Sequence, residues 1–226
     1  MSLPSVQSLE DLPKSCVPDA GDLSLVDLRF RALLTREVWA ALPFAVQKRF
    51  SKRLQDGATV VYTGRVTVMR FSVLGFVLAQ IFRLIGAPLP IFRDTNTPTA
   101  VTVTEDKRSG GQIWTRIYGR AHGFPQVIHS VKRFSGPTGL EEYIGRGIGM
   151  ALKISVEGGA LVFRSAHYFF EAGRKQFKIP RWLTPGDITV THRETSPTAF
   201  LFTLDLTHTV FGTLVRQEAL YAEEMP

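Results

Sequence analysis

Histidine is the side chain in this sequence best suited to moving protons near neutral pH, because its usual pKa is about 6.5. The chain has five histidines. Four of them lie in segments with the alternating apolar pattern of β-strands, and the alternation predicts that they point to apolar faces. These four candidate catalytic residues are His129, His167, His192 and His208. A histidine on an apolar face needs a hydrogen-bond partner, so they are either core residues or a polar cluster that holds a ligand or moves a proton inside a cavity.

Arg116 is the candidate anchor for an anionic ligand. In WTRIYGR (114–120), alternation places Trp114, Arg116 and Tyr118 on one face of a predicted strand. A buried arginine binds a carboxylate or phosphate through paired N–H donors. An outward arginine in an ion pair would also fit the pattern. If the face lines a cavity, we expect Trp114, Arg116, Tyr118, His129 and His167 to contact the ligand.

The sequence lacks the common catalytic signatures. It has no P-loop, no dinucleotide-binding glycine fingerprint after a strand, no HExxH and no nucleophile-elbow serine. The glycines of GRGIG (145–149) lie between predicted strands and indicate a turn or bulge. No strand carries two histidines at i and i+2, as a metal pair would require. We therefore expect no cofactor and no metal, and the sequence does not favour an enzyme.

The most apolar stretch, RFSVLGFVLAQIFRLIGAPLP (70–90), predicts a helix over 70–85 that ends at Gly86. It is too short to cross a bilayer, which needs about 20 apolar residues. Because the helix is apolar nearly all round, we expect it to be central and buried on more than one side. Its second side either meets more core or presents Phe76 and Val77 to an apolar ligand, to lipid or to a partner protein.

Short strands must position most of these side chains. Segments before residue 90 have helical spacing, and about eight or nine strand-like segments follow without a crossover helix, which predicts an antiparallel sheet that curls like a barrel. The fold class is thus α+β: N-terminal helices and one central apolar helix on a curved sheet. We expect an irregular leader (1–21) and a single domain (22–226), mainly helical over 22–90 and mainly strands over 91–226. The predicted strands are 99–106, 112–119, 126–134, 140–146, 150–157, 161–171, 188–195, 200–208 and 212–221.

The net charge of +7 is unevenly distributed. A basic run next to an apolar helix indicates either a solvated helix face or contact with an anionic membrane surface. Nucleic acid is not expected, because no reading motif is present. The single cysteine, Cys16, excludes an intrachain disulfide, and the N-terminus lacks the pattern of a secretion signal. We expect a cytoplasmic protein, either free or peripheral to the membrane. The basic run comprises Lys48, Arg49, Lys52 and Arg53.

Several segments taken in order resemble the bacterial domain-of-unknown-function family 4166, which often lies C-terminal to saccharopine-dehydrogenase-like reductases. The resemblance implies a partner reductase that acts on something hydrophobic, and it transfers no catalytic residues. The similar segments are LLTREVWAALPFAVQKRF (33–50), the stretch 62–90, WTRIYG (114–119), IPRWLTPG (179–186) and FLFTLDLTHTVFGTLVRQEALY (200–221).

Three functions remain open. The leading hypothesis is non-catalytic binding of a hydrophobic or amphipathic small molecule, such as a lipid or isoprenoid, in a cavity between the sheet and helix 70–85. The second is a cofactor-independent isomerase or cyclase that uses a cavity histidine or carboxylate. The third is a protein-protein interaction module whose apolar helix packs on a partner.

Overall fold

The computed structural model describes residues 26–54, 57–86, 88–173 and 175–223. The predicted leader (1–21) and Cys16 lie outside these residues. The α-helices are α1 (Arg36–Ala40), α2 (Phe44–Phe50) and α3 (Val73–Ile81), with 3₁₀ helices at Arg31–Leu33, Phe82–Ile85 and Arg181–Leu183. The strands are β1 (Thr59–Phe71), β2 (Pro98–Asp106), β3 (Gly111–Tyr118), β4 (Gln126–Arg133), β5 (Glu141–Gly145), β6 (Ile148–Glu157), β7 (Ala160–Ala172), β8 (Lys175–Lys178), β9 (Asp187–Ser196), β10 (Ala199–His208) and β11 (Gly212–Glu223).

The strands form a closed antiparallel β-barrel. Their order is β6-β5-β4-β3-β2-β1-β11-β10-β9-β7-β8, and an additional pairing of β6 with β7 closes ten of them into a ring. Strand β8 pairs with the end of β7 outside that ring. The predicted barrel-like antiparallel sheet is confirmed, but the count of eight or nine strands is wrong. The helices are short, so the fold is mostly sheet rather than an even α+β mixture.

Strand β1 lies within residues 22–90, which were predicted to be mainly helical, and no strand was predicted there. Its most buried side chains are Tyr62, Val66 and Met69, which are spaced four and three residues apart. The register with β11 shifts between Val66 and Val68, and a bulge there breaks the alternation of two. The spacing that results imitates a helix, which is why this strand was not predicted.

Helix α3 lies on the outside of the barrel, which corrects the prediction of a central buried helix over 70–85. It begins after Ser72, whose hydroxyl accepts a hydrogen bond from the Gly75 amide (3.0 Å). Gly75 and Ala79 are buried, while Val73 and Val77 are exposed. A Cβ at Gly75 would lie 1.9 Å from the carbonyl oxygen of Leu214, so glycine is what lets the helix lie directly on β11. The helix therefore covers the sheet from outside with one face only.

Residues 26–54 close one end of the barrel, as the predicted N-terminal helices require. Phe30 packs edge-on against Phe134 and Phe163, and Phe50 packs against Phe163. The Arg29 guanidinium donates a hydrogen bond to the carbonyl of Gly110 in the β2–β3 turn. We call this the closed end. The opposite end, where β1 gives way to α3, we call the mouth end; it comprises the described residues within 70–97, 119–125, 145–148, 170–187 and 208–212.

Candidate ligand cavity at one end of the barrel

A cavity lies inside the barrel towards the mouth end. The volume open to the centre of a water-sized sphere is about 120 Å³. Its deep wall is built of buried apolar side chains from β4, β6, β9 and β10 and from the loop before β2. Among them are Leu89, Ile128, Met150, Ile188 and Leu206.

The cover of the cavity comes from two irregular segments that lie outside the strand pairing. One is the 3₁₀ helix Phe82–Ile85 with the prolines that follow it, and the other is the 3₁₀ helix Arg181–Leu183 with Thr184 and Pro185. Side chains of these segments are partly exposed, so the cavity opens to solvent here. The lining residues of the cover include Phe82, Ile85, Pro88, Leu183 and Pro185.

A charged cluster is set into the apolar wall. Arg116 on β3 donates to the Ser130 hydroxyl (3.1 Å) and to Glu142 Oε1 (3.2 Å). The Lys132 ammonium donates to Glu142 Oε2 (3.0 Å). All four side chains are buried, because they occupy inward positions on β3, β4 and β5. Arg116, Ser130 and Glu142 line the cavity itself.

The cluster combines two basic side chains with one acidic side chain. Burial alone would raise the pKa of Glu142, but Lys132 and then Arg116 lower it to about 2, so the carboxylate is ionised. Burial lowers the pKa of Lys132, and Glu142 partly offsets this. Burial alone would lower the pKa of Arg116, but Glu142, Tyr118 and Tyr221 together raise it. Two basic side chains therefore share one buried, ionised carboxylate.

Two tyrosines add further polar groups to the wall. The Tyr118 hydroxyl donates to Gln217 Oε1 (3.4 Å). The Tyr168 hydroxyl is buried and makes no hydrogen bond with good geometry to the part of the chain that the structure describes. Burial strongly raises its pKa, and the nearby Ser165 hydroxyl opposes that rise only in part. Ser165 accepts a hydrogen bond from the Ile188 amide (2.9 Å), and Tyr168 lines the cavity, which places its hydroxyl donor in the cavity wall.

The structure brings together only some of the predicted ligand contacts. Arg116, Tyr118 and His129 line the cavity, although the His129 side chain points outward. Trp114 lies deeper towards the closed end, beside a much smaller void. Phe76 and Val77 are on α3, outside the barrel; Val77 is exposed, and Phe76 packs on Phe71.

The histidines are dispersed rather than clustered. His129 is one of the residues that line the cavity, but its side chain is exposed, with its Nδ1 3.0 Å from the Thr115 hydroxyl, so the side chain faces outward. His167 is half-buried and does not line the cavity. His208 accepts a hydrogen bond from the Val210 amide (3.2 Å) in the β10–β11 turn. No histidine of the described ranges directs its side chain into the cavity, so the predicted polar cluster of histidines is not formed.

His192 is the buried histidine, at the opposite side of the interior near the closed end. Its ring stacks on Phe200 with centroids 4.1 Å apart, and its Nε2 lies 3.1 Å from Arg49 Nη1. Burial, and then the charge of Arg49, lower its pKa to about 3. An arginine only donates, so the ring is neutral and accepts at Nε2. The same contact buries Arg49, so the predicted basic surface of Lys48, Arg49, Lys52 and Arg53 is not a continuous exposed patch.

Two local irregularities explain why the histidine faces were predicted incorrectly. On β4 the inward face carries Ile128, Ser130 and Lys132, whereas the apolar Val127 faces outward. On β7 the register with β6 shifts between Ala151 and Leu152, so the alternation predicted for His167 inverts.

Four residues of the site were missed by sequence reasoning: Ser130, Lys132, Glu142 and Tyr168. One signal was present for two of them, since Lys132 and Glu142 are opposite charges at a directly paired position of β4 and β5. Finding it requires the strand register, which the sequence pattern alone did not supply. Nothing in the local pattern distinguishes Tyr168 from an ordinary strand tyrosine.

The described residues lack two other kinds of feature. Among them, no three His, Cys, Asp or Glu side chains are grouped so that they could hold a metal ion. No helix within residues 26–54, 57–86, 88–173 and 175–223 is long and apolar enough to span a membrane.

Fold and site together define an antiparallel barrel with an apolar cavity and a buried charged cluster in its wall. A family model described as a domain of unknown function, DUF4166, matches residues 42–220. This is well over half of the sequence, so the chain belongs to the DUF4166 family, as the resemblance predicted. No curated protein and no solved structure matches the chain.

Proposed function

We propose that the barrel binds a small, mostly apolar molecule that carries a carboxylate or another hydrogen-bond acceptor. The observation that supports this most directly is a buried arginine, Arg116, in the wall of an otherwise apolar cavity. Apolar pockets with a few convergent polar groups are the usual form of small-molecule sites. Lipid-like and isoprenoid-like molecules fit this description.

The volume limits the part of the ligand that is enclosed. The volume of about 120 Å³ is similar to that of a cavity of about 150 Å³ that holds benzene. The enclosed part of the cavity thus accommodates one ring or a chain of roughly six to ten carbon atoms. A longer lipid or isoprenoid would extend through the mouth or displace the cover.

The charged cluster favours an acidic head group. Glu142 is shared between two basic side chains, Arg116 and Lys132, so a ligand carboxylate near Arg116 would supply a second negative charge. The hydrogen bonds of Arg116 to Ser130 and Glu142 use two of the five N–H groups that an arginine carries. Tyr168 supplies a neutral donor on another part of the wall.

The geometry gives less support to the second candidate, an isomerase or cyclase. Such an enzyme needs a base inside the cavity. Among the described lining residues the carboxylate is Glu142, whose pKa of about 2 makes it a weak base. We therefore propose binding without catalysis, in a cytoplasmic protein that serves a partner reductase acting on the same hydrophobic molecule.

Calorimetric titration with hexanoate and hexan-1-ol tests the proposal, after native mass spectrometry has shown whether a molecule co-purifies. The wild type should prefer hexanoate. Arg116→Met should weaken hexanoate by about 1.5–3 kcal/mol, roughly 10- to 100-fold, and leave hexanol nearly unchanged. Ile188→Trp should fill the cavity and abolish binding of both.

Arg164→Met is the matched control, because Arg164 pairs with Glu157 on the outer surface. It should change neither affinity. The proposal fails if folded Ile188→Trp binds as well as the wild type, or if the Arg164 and Arg116 variants lose hexanoate affinity equally.

A further inference from the structure

We infer that the mouth end docks on a lipid bilayer with anionic head groups, with the cavity opening towards the lipid. The inference concerns how a ligand reaches the cavity, so it deepens the proposed function and in that respect rests on it. Docking itself is measured separately from ligand binding.

The first observation is an outward apolar face on α3 and its 3₁₀ extension. Val73, Val77, Ile81 and Leu84 are exposed and recur at intervals of four, four and three residues, so they form one stripe along the helix. The opposite face is already used, since Gly75 lies against β11. The helix thus presents apolar side chains both to the barrel and to the outside.

The second observation is that other exposed apolar side chains lie at the same end. Trp182 is 80% exposed in the 3₁₀ helix of the cavity cover, and Phe211 is exposed in the β10–β11 turn. These elements are neighbours: a Cβ on Gly186 would meet the Thr207 carbonyl at 2.4 Å, and the Ser72 amide donates to the Leu214 carbonyl (3.0 Å). A large apolar surface of this kind is typical of a protein or membrane contact.

Charge decides between these two kinds of partner. The described residues of the mouth end include only three acidic side chains, Asp94, Glu171 and Asp187. Two of these make ion pairs with basic residues of the same end. The basic side chains are eight: Arg70, Arg83, Arg93, Arg120, Arg146, Lys175, Lys178 and Arg181.

Apolar and aromatic side chains surrounded by an excess of Lys and Arg are what an anionic membrane interface attracts. Trp182 is suited to the level of the head groups because its ring is apolar and its N–H is polar. The closed end also has an exposed phenylalanine, Phe44, with Lys48 on the same helix, which provides an internal comparison.

The apolar surface is continuous with the cavity. Leu183 is 59% exposed and also lines the cavity, and exposed Leu84 lies between the lining residues Phe82 and Ile85. A bilayer at this surface would therefore cover the mouth with lipid. An apolar ligand could then enter or leave without crossing water.

Vesicle flotation tests the docking, using phosphatidylcholine vesicles with and without about 30% phosphatidylglycerol. We expect binding to the anionic vesicles only. Lys175→Glu with Lys178→Glu should reduce the partition coefficient at least tenfold, since each basic residue near the surface contributes roughly fivefold. Leu84→Ser with Trp182→Ser should reduce it similarly, and Phe44→Ser with Lys48→Glu at the closed end should leave it unchanged.

Tryptophan fluorescence gives a second readout that is specific to the surface. Trp39 is buried and Trp114 is partly buried, so a blue shift on adding vesicles reports chiefly on Trp182. Lipids with a quencher near the head group should quench this emission, and Trp182→Phe should bind vesicles without the blue shift.

Three results in the vesicle assays would overturn the inference, and a fourth would come from self-association. The three are failure to bind anionic vesicles, equal binding to neutral vesicles, and loss of binding in the closed-end variant only. If Trp182 is instead shielded by concentration-dependent self-association, the surface is a protein contact and the inference is wrong. Titration with hexanoate in the absence of vesicles tests the cavity independently, so the two failures can be distinguished.

Discussion

Replacing Glu142 by glutamine is expected to destabilise the barrel by about 3 kcal/mol at pH 7. The pKa of this carboxyl falls from 4.5 to about 2 on folding. Each pKa unit corresponds to about 1.4 kcal/mol, so the ionised form is stabilised in the folded chain by about 3 kcal/mol relative to the neutral form. The amide would leave Arg116 and Lys132 buried together without a counter-charge, a change that typically costs about 3–5 kcal/mol.

The pH dependence of the difference identifies its cause. The folded pKa of Glu142 is depressed, so its contribution is fully present above pH 4.5 and is lost as the pH falls towards 2. Urea unfolding at several pH values should therefore show a large gap between wild type and Glu142→Gln at pH 7, which narrows below pH 4.5. The m-value should stay constant, because the surface exposed on unfolding is unchanged.

Two further variants show whether burial is the reason. Glu157 also has a pKa of about 2, but it is exposed and pairs with Arg164 at the surface, so Glu157→Gln should have a much smaller effect that salt removes. Replacing Arg116, Lys132 and Glu142 together by apolar residues should recover most of the loss. The reasoning is refuted if Glu142→Gln is as stable as the wild type, or if its deficit does not change with pH.

Two other substitutions test other parts of the fold. His192→Phe should flatten the pH dependence of stability between about pH 6.5 and pH 3. The folded chain holds the pKa of His192 at about 3, so in this pH range only the unfolded chain takes up the proton, and the wild type loses stability as the pH falls. Unfolding curves of both proteins at pH 7 and pH 5 measure the difference. Gly75→Ala should displace α3 from β11, because the new methyl group would lie 1.9 Å from the Leu214 carbonyl oxygen. Hydrogen exchange should become faster in residues 73–81 while the barrel strands stay protected, and unchanged protection of these residues would contradict the prediction.

The strands of this barrel were largely predictable because most of them alternate regularly. The nine predicted segments correspond to β2–β7 and β9–β11, and the absence of crossover helices correctly indicated antiparallel pairing. Strand β1 was not predicted, because the bulge near Val66 gives its buried residues a helical spacing. Strand β8 has only four residues, all exposed, and so carries no apolar pattern.

The site was predictable only in part, because its chemistry depends on register. Arg116 and Tyr118 could be recognised from alternation within one strand. The partner of Arg116 could not be recognised in this way, because Glu142 is distant in sequence and reaches Arg116 only across β4. The faces of the histidines were predicted incorrectly because alternation shows which residues share a face but not which face is inside. On β4, for example, the apolar Val127 lies on the outer face.

The two ends of the barrel differ in a way that determines where a ligand can be exchanged. Residues 26–54 fill the closed end with packed aromatic side chains, so opening it would disrupt core around Phe30 and Phe50. The cover at the mouth end is built instead from two single-turn 3₁₀ helices and the prolines Pro88, Pro90 and Pro185, which have no amide hydrogen to donate. Displacing these segments breaks few main-chain hydrogen bonds and no strand pairing. Exchange of a ligand through the mouth end therefore requires less free energy than exchange through the closed end. The mouth end opens on the surface that carries Trp182.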